Sequence, residues 1–233
     1  MRPLPEPSIT FKTAEPVSIS AQLYRHLRAA IVRGEIQPGV ALSEAELSKQ
    51  YAISRQPVRE AFIKLAEERL VSIQPQRGTF VVKISMKEVL DARFVREAIE
   101  VAVALEAASI TPPGLIKELR TLVAQQSALA PGNHADFLAL DEEFHRTIAL
   151  SVGHAHAWRV VESIKAQMDR VRYLSFDEAT PIACIIEQHI RIVDALEAGD
   201  PMATAAAMRT HLREIMSSLP RIATMLPEYF EAE

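Results

Sequence analysis

In LDEEFHRTIAL, residues 140–150, Asp141 and His145 stand four positions apart. On a helix that spacing puts both on one face, together with Leu138, Ile148 and Val152, so a carboxylate and an imidazole are aimed into an apolar seam. Two further histidines repeat the pattern. His189 shares a face with Ile185, Ile186, Ile192, Val193 and Leu196, and His211 shares one with Met208, Leu212 and Ile215. A single such histidine reads as a hydrogen-bonded core residue. Three helices that each turn metal-ligand side chains inward read instead as a mixed nitrogen and oxygen metal site inside a bundle. The expected ligands are Asp141, His145, His189 and His211. A set without thiolate suits a divalent ion, with zinc first and nickel, manganese or iron also open. The rival chemistry is a metal-dependent hydrolase with Glu142 or Glu143 as base, but both glutamates leave the apolar face. His26, His134, His154 and His156 lie outside this set.

The elements that must position these residues follow from turn signals. After Ser85 the chain reads as six helical segments separated by TPPG, PGN, VGH, ATP and GDP. Thr180-Pro181 and Asp200-Pro201 each look like an N-cap followed by proline in the first turn. Before Lys83 the pattern is different: three helices, then two short strands around a QPQRG tip. Ser43 with Glu46 fits a capping box, and Ser54 stands where it would cap the third helix. The expected fold is therefore mainly α, a winged helix-turn-helix over 18–83 followed by an all-α six-helix bundle over 84–233. Residues 1–17, rich in proline, read as a mobile tail on a cytoplasmic protein with no membrane span. The lone Cys184 reads as an inert thiol among isoleucines. Of the charges, the first 83 residues carry 12 Lys and Arg against 8 Asp and Glu, and the remainder 14 against 22. The excess of positive charge falls on the first block, the one with the shape of a nucleic-acid reader.

Arg55 and Arg59, one turn apart at the leading end of the third helix, have the reach to clamp phosphates or read guanine edges. Arg77 and Gly78 at the hairpin tip would form a wing, with Gln56 and Ser43 completing the DNA-facing set. The stretch LSEAELSKQYAISRQPVREAFIKLAEERLVSIQPQRGTFV resembles the winged helix of the GntR family of bacterial transcription regulators. That resemblance implies operator contacts by Arg55, Arg59 and Gly78. Gln56 stands where threonine is commoner, and Ala45 where the family often has arginine; Glu60 is expected to orient an arginine.

The second half resembles the FCD effector domain of the FadR-like branch, through Asp141/His145, His189 and His211 taken in order. A count of six helices places it with the VanR-like subgroup. The resemblance implies that Arg96, followed by Glu100, holds an effector carboxylate; Arg170 and Arg172 are further candidates for that role. Bidentate guanidinium beside a metal is a sound carboxylate receptor. The function expected is a repressor, not an enzyme. It would bind a palindromic operator as a homodimer, because one recognition helix reads one half-site, and be released by a small anionic metabolite. A regulator whose metal is structural, or is itself the signal, is the alternative.

Overall fold

The computed structural model describes residues 17–176 and 179–232; apart from Val17, the expected N-terminal tail lies outside the described residues. The chain forms two compact units. Residues up to Ser85 together with those from Leu226 onward make one, and Met86–Met225 the other. The division before α4 falls where the sequence changes character, but the return of the last residues to the first unit departs from the expected span of 84–233.

In the first unit, α1 (Ile19–Val32) is capped by Ser18, whose hydroxyl accepts from the Ala21 N–H at 3.2 Å. Leu23, Leu27 and Ile31 line its buried face, which packs against Val58, Ala61, Phe62 and Leu65 of α3 (Arg55–Glu67). Between them α2 (Glu44–Gln50) begins at Ser43, whose hydroxyl accepts from Glu46 N–H at 3.3 Å. Ser54 occupies the N-cap position of α3, but its side chain makes no capping bond. The wing consists of β2 (Val71–Gln74) and β3 (Gly78–Val81), antiparallel, with Gln74 opposite Gly78. A two-residue strand, β1 (Ala41–Leu42), joins the outer edge of β3 and gives the order β1-β3-β2. Beyond the helices, Ile84 pairs in parallel with Phe230, just after a 3-10 turn at Pro227–Tyr229.

In the second unit α4 (Met86–Ile110) packs against five helices, α6 to α10. These are α6 (His134–Ser151), α7 (Ala155–Ile164), α8 (Ala166–Ser175), α9 (Ile182–Glu197) and α10 (Pro201–Arg213), and α5 (Leu115–Ser127) lies against α6 and α9. The last helix, α11 (Ile215–Met225), packs mainly on α8. One stripe of α4, through Leu90, Phe94, Ala98 and Ala102, stays exposed, while Arg96 and Glu100 lie on its inner face and are both buried. The core runs through Ala104, Leu119, Phe144, Ile148, Val161, Ile192 and Met208.

Each of the six expected helical segments is there, but two are broken, so the described residues hold eight helices in this unit. Neither break has a glycine or proline at it. Lys165 ends α7 and starts α8 while its ammonium donates to Glu142 at 2.9 Å and Asp169 at 2.7 Å, with Lys165 and Asp169 buried and Glu142 half-buried. Glu214, between α10 and α11, accepts from Gln188 at 2.9 Å. Both breaks are set by tertiary pairing, which local pattern does not carry.

Of the two expected proline caps, Asp200 behaves as such: its carboxylate accepts from the N–H groups of Met202 at 3.0 Å and Ala203 at 2.9 Å. Thr180 does not. Pro181 itself is the N-cap of α9, and the buried Thr180 hydroxyl has no hydrogen-bond partner. Removing a cap costs about 1 kcal/mol. Asp200→Ala is expected to lower the free energy of unfolding by that amount, measured by urea denaturation, whereas Thr180→Val is expected to leave it within about 0.5 kcal/mol.

Candidate functional sites

α6 brings Asp141 and His145 to the centre of the bundle, α9 brings His189 and α10 brings His211. One potential ligand atom from each of the four lies within 4.8 Å of all the others. All four side chains are buried, His189 completely.

The hydrogen-bond partners decide where the ring protons sit. Gln188 donates its amide N–H to Glu214, so its oxygen faces His211, and His211 Nδ1–H donates to it at 3.0 Å. His145 Nδ1 lies 2.7 Å from Glu100 Oε2, off the line of a well-formed hydrogen bond, yet a carboxylate at that distance tolerates only an N–H. His189 Nδ1 faces Gln126 Oε1 at 2.8 Å. With every Nδ1 carrying its proton toward an oxygen, the Nε2 lone pairs point at one another. His145 Nε2 and His211 Nε2 are only 3.0 Å apart, and His189 Nε2 has no hydrogen-bond partner and lies 3.4 Å from Asp141 Oδ1. Two lone pairs at that distance repel unless a cation or a proton stands between them, and an orphaned buried acceptor costs about 1–3 kcal/mol. Protons are disfavoured: burial, against the opposing pull of the Asp141 carboxylate and with help from the Arg172 and Arg96 guanidinium groups, pushes His189 down to about 3, and burial with the other two imidazoles pushes His211 well below its usual value. The donor set therefore fits a divalent ion, with the Nδ1 partners holding each ring as outer-shell groups do.

The carboxylates are held ionised. Burial alone would raise Asp141, but the Arg172 guanidinium, donating 2.7 Å from Nη1 to Oδ2 and also from Nη2 to Oδ1, outweighs it and keeps Asp141 well below the usual range. Glu100 is treated likewise. Against its burial, the charge of the Arg96 guanidinium, with His145 Nδ1 beside it, holds it to about 2. Each buried carboxylate thus has its own arginine, and with neutral imidazoles the cluster is close to uncharged.

Of the three arginines read as effector ligands, Arg96 and Arg172 line a cavity beside His211 that is also walled by Thr180, Ser218 and Phe176. Both are already engaged, Arg96 with Glu100 and Arg172 with Asp141. Arg170 is buried elsewhere, donating to Gln167 at 3.1 Å, and is not part of that wall. Glu142 pairs with Lys165 and Glu143 with Arg146, so neither glutamate serves the cluster as a base. Cys184 is half-buried, and burial raises its thiol pKa, which leaves it unreactive.

Of the residues expected to face DNA, Arg55, Gln56, Arg59, Arg77 and Gly78 are all exposed, with Ser43 half-buried at the cap of α2. Gly78 has φ +114°, a conformation side chains avoid. Arg59 is oriented by Glu44, through Nε at 3.1 Å and Nη2 at 3.0 Å. Glu60, expected in that role, accepts from Gln56 instead, at 3.1 Å. Glu44 is the first residue of α2 and lies 15 positions before Arg59, so helix periodicity gave no sign of the pair.

Residues 19–81 match the model of the bacterial regulatory proteins of the gntR family, and residues 91–214 match the FCD domain. The HTH-type transcriptional repressor RspR of Escherichia coli K12 is 43% identical over 92% of this chain and 95% of its own. The gluconate operon transcriptional repressor of Bacillus subtilis is 26% identical over 78% of this chain and 77% of its own. Among solved structures, E. coli McbR/YncC superposes with a TM-score of 0.73 over 90% of this chain and 99% of that one, at 19% identity, a likeness of fold. The chain belongs to the GntR family, as a member with an FCD domain. It is a DNA-binding transcriptional regulator and not an enzyme.

Removing one partner of a buried ion pair costs roughly 3–5 kcal/mol, because the other charge is left uncompensated. Asp141→Asn, assayed by urea denaturation in the presence of chelator so that metal binding plays no part, is expected to lose stability on that scale. A loss under about 1 kcal/mol would mean that Arg172 is not held by Asp141.

Proposed function

We propose that this protein is a repressor that binds a palindromic operator as a homodimer and lets go when a small carboxylate is held at a divalent metal bound by Asp141, His145, His189 and His211. The observation that carries the reading is the convergence of three buried imidazoles with one carboxylate, the Nε2 atoms of His145 and His211 only 3.0 Å apart. A bound divalent ion, zinc first, would supply positive charge and open coordination positions for an oxygen ligand. Because Arg172 and Arg96 already neutralise Asp141 and Glu100, the ion's two charges are left uncompensated, and an anion is the ligand that completes the site. Arg96 uses two of its five N–H donors on Glu100, so it retains donors for a carboxylate in the adjoining cavity. A relative named for a gluconate operon fits this chemistry, gluconate being a carboxylate.

The DNA side of the proposal gives Arg55 and Arg59 the base and phosphate contacts at the head of α3, with Gln56 and Ser43 beside them and Arg77 and Gly78 at the wing. Glu44 grips Arg59 through Nε and one Nη, which leaves the outer fork of the guanidinium for guanine. The match to a repressor over nearly the whole chain supports repression, in the cytoplasm where the DNA is.

One observation favours a second reading, in which the metal is structural or is itself the signal. The cavity beside His211 is about 30 Å³, room for about two waters. Operator release by carboxylates with zinc already bound supports the first reading; release by chelator alone supports the second.

Arg55→Ala with Arg59→Ala is expected to cost about 2–6 kcal/mol of specific binding while leaving the helical circular dichroism intact; unchanged binding to a selected operator would refute the assignment of α3. His189→Ala is expected to abolish zinc uptake measured by elemental analysis, and Glu100→Gln to weaken it by about 10–100-fold, with operator binding retained in both. Zinc uptake unaffected by either substitution would refute the site.

A further inference from the structure

The cavity beside His211 has room for about two waters, so an organic acid seated in it would press on its wall. Much of the wall is one continuous stretch: His211, Leu212, Glu214, Ile215 and Ser218 all face the cavity from the end of α10 and the start of α11. The opposite side of the site includes Arg172 of α8, the helix on which α11 mainly packs. Displacing the wall therefore displaces α11.

The chain beyond α11 leaves the helical unit. From Leu226 onward it belongs to the DNA-binding unit. There Ile84 N–H donates to the Tyr229 carbonyl at 2.8 Å, and Glu231 N–H donates to the Ile84 carbonyl at 3.0 Å, closing the parallel bridge between Ile84 and Phe230. Both aromatic side chains are buried, Phe230 to 4% exposure and Tyr229 to 9%. Tyr229 lies against Gly34, where an added Cβ would come 3.0 Å from its Oη. Chain ends fray unless tied down, and this segment is tied at two places that matter for DNA reading. Gly34 follows α1, which packs on α3, and Ile84 lies three residues beyond β3, whose first residue is Gly78 of the wing.

We infer that Tyr229 and Phe230 are positioning residues that carry the state of the cavity wall into the DNA-binding unit, making the segment after α11 a second covalent link beside the one at Ser85–Met86. The link works because its two ends are fixed differently. One end is the cavity wall itself, and the other is a backbone bridge with two buried rings. A shift of α11 must either be absorbed in Leu226–Pro227 or be delivered to Ile84 and Gly34, and proline at 227 leaves little slack in φ. The inference rests on the proposed role of the cavity, but not on any metal or effector.

The test is a double-mutant cycle that mimics occupation of the cavity without a ligand. Ser218→Leu pushes the wall from inside α11, and Tyr229→Ala with Phe230→Ala uncouples the far end. Affinity is read by fluorescence anisotropy on a duplex selected from random sequence by the wild-type protein, after circular dichroism and thermal melting confirm that each variant is folded. Coupled sites differ by about 5-fold or more. Ser218→Leu is expected to weaken operator binding by at least that factor with the segment intact and by less than about 2-fold with it uncoupled. Equal losses in both backgrounds, or no loss on Ser218→Leu in a folded protein, overturn the inference. If the aromatic pair proves necessary for folding, Glu231→Pro replaces it in the cycle, since it removes the N–H that donates to Ile84 and leaves both rings in place. Failure of the proposed metal site would show as absent zinc uptake in the wild type, a result on which this cycle does not depend.

Discussion

The second unit is organised around an electrostatic constraint: two carboxylates, Asp141 and Glu100, are buried, and each is tolerated only because an arginine meets it. Arg172 grips Asp141 and Arg96 grips Glu100. An uncompensated charge in such a place costs several kcal/mol, so the three helices involved, α4, α6 and α8, have little freedom in register. Once they are fixed, so are the imidazoles. Glu100 faces His145 directly, and Glu214 acts on His211 through the amide of Gln188. The result is a set of lone pairs aimed at one point, an arrangement unfavourable on its own and favourable around a cation.

This constraint also explains why a cluster of acids, bases and histidines is not a hydrolase. General base chemistry needs a free carboxylate within reach of a water. Here Asp141 is held ionised by Arg172, Glu142 is turned to Lys165, and Glu143 to Arg146. What remains is a buried set of imidazoles and acids with the chemistry of an ion site, in a family of DNA-binding regulators.

Much of this was legible in the residues. Asp141, His145, His189 and His211 were readable because each interrupts an apolar stripe of known period, and the structure brings their ligand atoms together. Arg55, Arg59, Arg77 and Gly78 were readable from motif and are exposed. The residues that orient these were not. Glu44, Gln126 and Gln188 look like ordinary polar positions, and their roles come from pairings 15 to 63 residues away. Glu100 did carry a signal, four residues after Arg96 on a helix without a polar face. The breaks at Lys165 and Glu214 were hidden for the same reason as the orienting residues. Thr180-Pro181 misled because the helix starts one residue later, with Pro181 itself at the cap, and the Thr180 hydroxyl makes no capping bond. The aromatic pair Tyr229 and Phe230 had no periodic context at all, and only the tertiary bridge to Ile84 gives it meaning.

The central claim is the state of the three rings, and nitrogen NMR of the imidazoles tests it without any assumption about effector or operator. In metal-free protein at neutral pH, long-range proton–nitrogen spectra are expected to show His145, His189 and His211 each protonated at Nδ1 and bare at Nε2, with all three Nε2 resonances moving together when one equivalent of zinc is added. A proton found on Nε2 of His189 or His211, with zinc leaving those resonances unmoved, would contradict the account.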